Sequence, residues 1–270
     1  MLELVISLFS FFLGAIVGSF LNALVYRIRN GIDFVFERSE CIYCKHKLSP
    51  LDLVPIFSFI FLRGKCRYCK KNIHLRYFVF EIITGVSFLL YFLYFPFSYN
   101  TSSTSLVYVN IIYYLILICI FLYIGLYDYL YYEISDKLIL FSSIFVLIYF
   151  IYGWFSGSFS FYQIIGNIAV GVAVFMIFLF IILLTKGKGM GGGDMKLVFM
   201  IGLILGYPAI LYVLFFSFLI GSIVGILLII IKSKSIKSSI PFAPFLSLSV
   251  ILYIIFGTYV SNFMTYIFLR

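Results

Sequence analysis

Phe161-Tyr-Gln-Ile-Ile-Gly-Asn-Ile-Ala-Val-Gly-Val-Ala-Val-Phe-Met-Ile-Phe-Leu-Phe-Ile-Ile-Leu-Leu184 runs for 24 residues without a charged side chain. As an α-helix it would measure about 36 Å, enough to cross the roughly 30 Å hydrocarbon core of a bilayer. Outward from it the pattern repeats, with apolar runs at 2–26, 77–97, 106–126, 137–153, 208–231 and 243–268. An eighth run, 197–206, is shorter and meets Gly206-Tyr207-Pro208. At about 1.5 Å per residue it covers roughly half the core, so it reads as a short helix extended through that turn or as a re-entrant half-helix.

Composition agrees. Of 270 residues, 64% are hydrophobic and 11% charged, where soluble domains are nearer half apolar and a quarter charged. So few charges cannot cover a water-exposed surface. A soluble enzyme, a disordered chain and a nucleic-acid-binding domain are disfavoured, despite a net charge of +9. The expected fold is an all-α polytopic membrane protein of about eight transmembrane helices, one short or re-entrant, with a small cytoplasmic four-cysteine zinc-knuckle module. The expected divisions are a first transmembrane anchor over 1–26, the cytoplasmic module over 27–76 and a transmembrane domain over 77–270.

Lys and Arg set the orientation. Eleven lie in 27–76, Lys137 follows the third run, Lys186, Lys188 and Lys196 follow the fifth, and Lys232, Lys234 and Lys237 follow the seventh. With eight crossings these eighteen share one face, which is expected to be cytoplasmic, and only Arg270 lies opposite. The connections 98–105 and 154–160 on the other side carry no charge. The basic excess is thus accounted for by topology and anionic membrane lipid, and no nucleic acid is expected as a partner. The first run lacks a basic n-region and an A-x-A-like cleavage site, so it is expected to be an uncleaved anchor with its N-terminus outside.

Four of the five cysteines form Cys41-Ile-Tyr-Cys44-Lys45 and Cys66-Arg-Tyr-Cys69-Lys70, two copies of one knuckle. Four thiolates at this spacing suit a closed tetrahedral zinc site. Metal would supply stability that a loop of about fifty residues cannot draw from its own core. The competing reading is redox chemistry by paired thiols, which a reducing cytoplasmic face disfavours. Cys119, inside an apolar run, reads as a packing residue, and His46 and His74 as loop residues rather than ligands.

Ten carboxylates occur in the chain, and two stand out. Asp128 follows the third run in Gly125-Leu126-Tyr127-Asp128-Tyr129, and Asp194 closes Gly189-Met190-Gly191-Gly192-Gly193 before the short run. Both fall at the cytoplasmic membrane boundary, where helix packing could bring them together. Two carboxylates a few Å apart cannot both ionise cheaply and share a proton. One can then take a proton from water while the other donates to a carbonyl oxygen. Gly191 and Gly193 would allow an extended or φ > 0 backbone and close approach of a substrate strand. Two other readings compete: that both aspartates merely cap helices, and that they line a proton or ion path. A transporter would show paired broken helices in inverted repeats, and only one half of this chain has a Gly-interrupted segment.

These residues resemble the type IV prepilin peptidases, leader peptidases and N-methyltransferases of pilus and type II secretion systems. Gly18-Ser19-Phe20-Leu21-Asn22 with Tyr26-Arg27 resembles their opening motif. Cys41 to Glu81 resembles their cytoplasmic module, with Pro55, Ser58, Arg63-Gly64-Lys65-Cys66-Arg67 and Arg76-Tyr77. Asp128 matches the first catalytic aspartate, Gly191-Gly192-Gly193-Asp194 the G-x-G-D motif with the second, and Pro241-Phe242-Ala243-Pro244 a late P-F-G-P element. Ser135, Phe78 and Ala243 depart from the family's Pro, Pro and Gly.

The resemblance implies an integral membrane aspartic endopeptidase, with Asp128 and Asp194 as dyad, that cuts a basic leader from prepilins or pseudopilins. The expected location is the cytoplasmic face of the bacterial inner membrane. It also implies methylation of the new N-terminus with S-adenosylmethionine as donor, 27–81 as the methylation region and Gly64 as a contributor. A basic leader gains little from a face so rich in Lys and Arg. Recognition is therefore expected to rest on membrane packing of the substrate helix, with Glu37, Glu40 and Asp52 contributing modestly.

Overall fold

The computed structural model describes residues 2–33, 38–94, 104–187, 190–231 and 239–268. Expectations resting on Glu37, Lys188, Gly189, Lys232, Lys234, Lys237, Arg270 and the stretch 98–103 lie outside them. The chain forms two compact units that divide within one helix, between Cys119 and Ile120.

The first unit contains α1 (Leu2–Asn30), a 3-10 turn (Pro50–Leu53), α2 (Phe57–Phe61), α3 (Leu75–Tyr94) and the start of α4 (Thr104–Tyr131). Helices α1 and α3 lie against each other, and the contact is close because Gly14 has no side chain. A Cβ there would stand 2.7 Å from the carbonyl oxygen of Thr84. Between α1 and α3 the chain builds the cysteine module, held by turns and two isolated antiparallel bridges, Glu40 with Lys47 and Lys65 with Asn72.

The second unit contains the rest of α4, α5 (Asp136–Phe155), α6 (Phe161–Leu184), α7 (Gly192–Leu205), α8 (Ala209–Ile230) and α9 (Ala243–Phe268). The start of α6 is fixed by a capping box: Gln163 N–H donates to Ser160 Oγ at 3.2 Å, and Ser160 N–H to Gln163 Oε1 at 2.8 Å. Along α6 and α8, large apolar side chains such as Phe180, Leu183, Phe215 and Ile226 face outward. Apolar exposure on this scale is expected of a surface that meets lipid rather than water. Seven helices among the described residues are long and apolar enough to cross a bilayer, and the chain is an integral membrane protein.

Helix α7 carries the short run. It starts five residues earlier than the apolar run, spans 14 residues and at about 21 Å falls short of a full crossing in lipid. It runs antiparallel along α6. Phe199 meets Phe175 with ring centroids 6.1 Å apart. A Cβ on Gly202 would come within 2.7 Å of Gly171 Cα. At the far end Asn167 Nδ2 donates to the Leu203 carbonyl at 3.3 Å. Gly206, at φ +65°, then turns the chain, and α8 returns antiparallel to α9, with Tyr212 stacked on Tyr253 and Phe218 on Phe242. So α7 is one continuous helix antiparallel to α6, the arrangement expected of a short crossing helix. Leu197, Val198, Met200, Ile201 and Leu203 are all buried, with α7 packed on α5, α6, α8 and α9. A short helix is tolerable at this depth because protein surrounds it.

Candidate active site

Helix α4 continues five residues beyond the apolar run, so Asp128 does not follow the helix but lies in its last turns, 6% exposed. Its Oδ2 accepts the backbone N–H of Ala243 at 3.2 Å. Ala243 is the first residue of α9 and fully buried, which brings the Pro241–Pro244 element onto the aspartate. The sequence marked that element without giving it a task; a backbone N–H donating to a carboxylate leaves no trace in residue type, except that Pro is excluded at 243.

Asp194 lies in the first turn of α7, three residues after the N-cap Gly191, and is half-buried. It is therefore not the N-cap itself. Its Oδ2 folds back over Gly191, 3.5 Å from where a Cβ would be. A carboxylate there is stabilised by the helix N-terminus. Asp128 is close enough to act electrostatically on Asp194, so two residues 66 apart in sequence meet at one end of the second unit. Gly191 takes the extended backbone, one of the two conformations expected of it, at φ −76° and ψ 145°, which other residues could adopt. Gly193 departs from the expectation. Gly193 is inside the helix, and the side chain of Ile134 stands 3.2 Å from its missing Cβ. Its smallness serves close packing beside the aspartates rather than unusual backbone. Lys196 Nζ pairs with Asp136 at 2.7 Å at the same end, exposed on both sides and so worth little.

In the first unit the knuckle repeat is visible in the backbone. Cys41 N–H donates to His46 O and Lys45 N–H to Cys41 O; Cys66 N–H donates to Lys71 O and Lys70 N–H to Cys66 O. Lys45 and Lys70 both adopt positive φ, 57° and 60°. The four sulfurs lie within 4.8 Å of one another, and Cys41 Sγ is 3.9 Å from Cys69 Sγ. Sulfurs around a tetrahedral zinc at about 2.3 Å sit about 3.8 Å apart, whereas a disulfide needs about 2.05 Å. The set fits one shared ion. Burial raises the Cys41 thiol, but backbone amides of Cys44 and Tyr43 with the neighbouring thiols bring it down to about 7, while Cys44, against the lowering His46 amide, is pushed up to about 11 by burial and its thiol neighbours; the crowded thiols shift one another in opposite directions. His46 is occupied by stacking on Tyr68, and His74 Nδ1 accepts the Arg76 N–H.

Beside the module is a cavity of about 630 Å³, lined by α1, α3 and the loop between them. Gly64 does not line it. At φ +66° Gly64 turns the chain before Cys66 and rests on the ring of Phe59, which does line it. Phe78 in turn stacks on Phe59 at 5.0 Å. Asp52 anchors the wall: burial alone would raise its carboxyl, but Arg67 at 2.6 Å and the Ser49 hydroxyl and amide hold it below the ordinary value. The sequence did not single out Glu81 as functional. Its carboxylate is buried on α3 and accepts the Ile56 N–H at 2.7 Å.

An all-helical membrane fold with a paired-aspartate end and a four-thiol module defines a membrane peptidase class, and its sequence matches agree. Residues 12–95 match the bacterial peptidase A24 N-terminal domain, and residues 115–226 match the type IV leader peptidase family. The chain belongs to the type IV leader peptidase family. It is similar to the prepilin leader peptidase/N-methyltransferase of Bacillus subtilis (strain 168), 28% identical over 257 residues, 94% of this chain and 95% of that protein. The Myxococcus xanthus (strain DK1622) protein of the same name is 28% identical over 233 residues, 85% of this chain and 65% of its own length. No solved structure matches the chain significantly.

Proposed function

We propose that this protein removes the leader peptide of prepilins or pseudopilins and methylates the N-terminus so exposed. Cleavage is assigned to Asp128 and Asp194, and the observation that carries it is their electrostatic proximity, Asp128 buried in the last turns of α4 and Asp194 in the first turn of α7. The pair holds one proton between two carboxylates. The ionised member takes a proton from water as the water oxygen bonds to the scissile carbonyl carbon. The protonated member donates to the carbonyl oxygen. Collapse returns that proton, breaks the C–N bond and protonates the leaving amine, so no covalent enzyme intermediate forms. The Ala243 amide keeps the Asp128 carboxylate in one orientation throughout.

Cys41, Cys44, Cys66 and Cys69 would hold one structural zinc, on the strength of their spacing and chemistry. Methyl transfer is assigned to the cavity beside them, with S-adenosylmethionine as donor; a sulfonium of this kind supplies an electrophilic methyl group. Gly64 would act there indirectly, by seating Phe59. The three divisions 1–26, 27–76 and 77–270 would then be anchor, methylation-associated module and peptidase, except that α3 (Leu75–Tyr94) goes with α1 as a wall of the methylation cavity. The excess of Lys and Arg around the module and the need for reduced thiols support an inner-membrane location with module and dyad cytoplasmic. Lipid around the helices is the remaining partner. Few acids are left for a basic leader, since Glu40 pairs with Lys45 and Asp52 with Arg67, so the substrate's own helix supplies most of the recognition.

Mass spectrometry of a co-expressed prepilin tests the reading in one measurement. The expected product has lost its leader and gained one methyl group. An uncut prepilin beside folded enzyme would overturn it, and proton flux through reconstituted vesicles without proteolysis would favour a transporter.

A further inference from the structure

The cavity in the first unit is lined by three carboxylates, and two are already committed. Glu40 is paired with Lys45 at 3.0 Å and Asp52 with Arg67 at 2.6 Å. Glu81 is different. It is 7% exposed and takes part in no ion pair among the described residues. Instead it accepts the Ile56 N–H at 2.7 Å, with Ser19 of α1 lining the same cavity. A buried carboxylate without a counter-charge is costly, and the fold adds a second cost to keep it. Ile56, β-branched, sits at φ 65° and ψ −55° in a three-residue turn closed by Phe57 N–H to Pro55 O at 2.6 Å. That backbone conformation is strained, and it aims the Ile56 amide at Glu81. Strain of this sort is found where a group must be held for a purpose.

We propose that Glu81 is a catalytic residue of the methylation step, binding the α-ammonium of the newly exposed peptide N-terminus in this cavity and accepting its proton. This rests on the reading that methyl transfer occurs here. An ammonium has no lone pair, so one proton must leave before the amine can attack. That proton goes to the Glu81 carboxylate. The nitrogen lone pair then forms the N–C bond as the S–C bond of the sulfonium donor breaks, leaving a secondary ammonium and a neutral thioether, and Glu81 returns its proton to solvent. Arg27 from α1, Arg38 from the loop, and His74 and Arg76 at the start of α3 line the same space. Nearby cations make a bound ammonium easier to deprotonate. Arg76 Nε is buried without a hydrogen-bond partner, which leaves it available to a ligand's carboxylate or carbonyl oxygen.

Glu81→Gln is the informative variant, because its amide oxygen can still accept the Ile56 N–H while the charge is gone. Purified wild type and variant are compared on a peptide carrying the mature pilin N-terminus, free or N-acetylated. Wild type should bind the free form about tenfold more tightly, and Glu81→Gln should lose that preference. Its methylation rate at pH 7 should fall about 100-fold or more, within the range of general-base catalysis. It should recover about tenfold per pH unit up to the amine's own pKa of about 8. Leader cleavage should stay within about twofold, and Glu81→Asp should restore part of the methylation. Wild-type methylation by Glu81→Gln, or a loss equal at every pH with the binding preference intact, overturns the proposal. Leu62→Trp, which fills the cavity, separates the two levels. If it leaves methylation intact, the cavity is not the methylation site and the underlying reading falls with it.

Discussion

The backbone N–H of Ala243 donates to Oδ2 of Asp128 across 3.2 Å, joining the first turn of α9 to the last turns of α4 inside the protein. It means the late proline-flanked element is part of the dyad's setting rather than a passive turn.

Ala243→Pro removes the donor at the first helical position, where proline's φ is acceptable. Hydrogen bonds to charged groups are worth about 1.5–3 kcal/mol, so initial cleavage rates should fall about 10- to 100-fold. Ala243→Gly keeps the N–H and should stay close to wild type. Equal losses in both, measured on one prepilin in detergent at matched thermal stability, would show that packing at this buried position matters and the hydrogen bond does not.

Asp128→Asn and Asp194→Asn should each abolish cleavage, by about 1,000-fold or more, with the protein still folded and still able to methylate a pilin that was cut beforehand. Because the two share a proton, the double variant should be no worse than either single one. Substantial cleavage by either single variant sinks the dyad.

Much of this was legible from residue order because membranes constrain sequences strongly. A charge-free run such as 161–184 has one stable solution in lipid, and two Cys-x-x-Cys pairs have few uses. The length of α4 was less legible. Asp128, Tyr129 and Tyr131 are polar enough to end a hydrophobic run but do not end the helix, which runs on with Asp128 buried and Tyr129 exposed. The path of α7 was hidden for a different reason, since lipid sets a minimum length only for helices that touch it and α7 is packed among other helices. Contacts that depend on backbone atoms, Ala243 to Asp128 and Ile56 to Glu81, leave no pattern in side chains.

Purified protein should carry about one zinc per chain, as a closed four-thiolate site holds one ion. Cys41→Ser or Cys66→Ser should release it and raise amide exchange throughout the module while leaving the helices of the second unit unchanged. Metal-free protein with Cys41 and Cys69 disulfide-linked would support the redox alternative.

Asp52 gives the module a pH dependence of known sign. Its carboxyl is held below the ordinary value in the folded chain, so the stabilisation is present above its unfolded pKa of about 3.9 and is lost as pH falls through the folded value. Asp52→Asn should therefore reduce module stability at pH 7, and the difference from wild type should shrink below about pH 4. Hydrogen exchange over the 3-10 turn Pro50–Leu53 at both pH values measures it. A difference independent of pH would assign the effect to lost shape rather than to charge.

The crossing of α7 is testable by access. Lys196 lies in its second turn, and Tyr207 just past its far end is 73% exposed. Single cysteines placed at 196 and 207 should react with a membrane-impermeant maleimide from opposite faces of sealed vesicles, against the labelling of the unsubstituted chain. With the dyad cytoplasmic, position 196 reacts only in inverted vesicles and position 207 only in right-side-out ones. Labelling of both from one face would mean that α7 turns back within the membrane. The antiparallel run of contacts from Phe175–Phe199 to Asn167–Leu203 would then have to break.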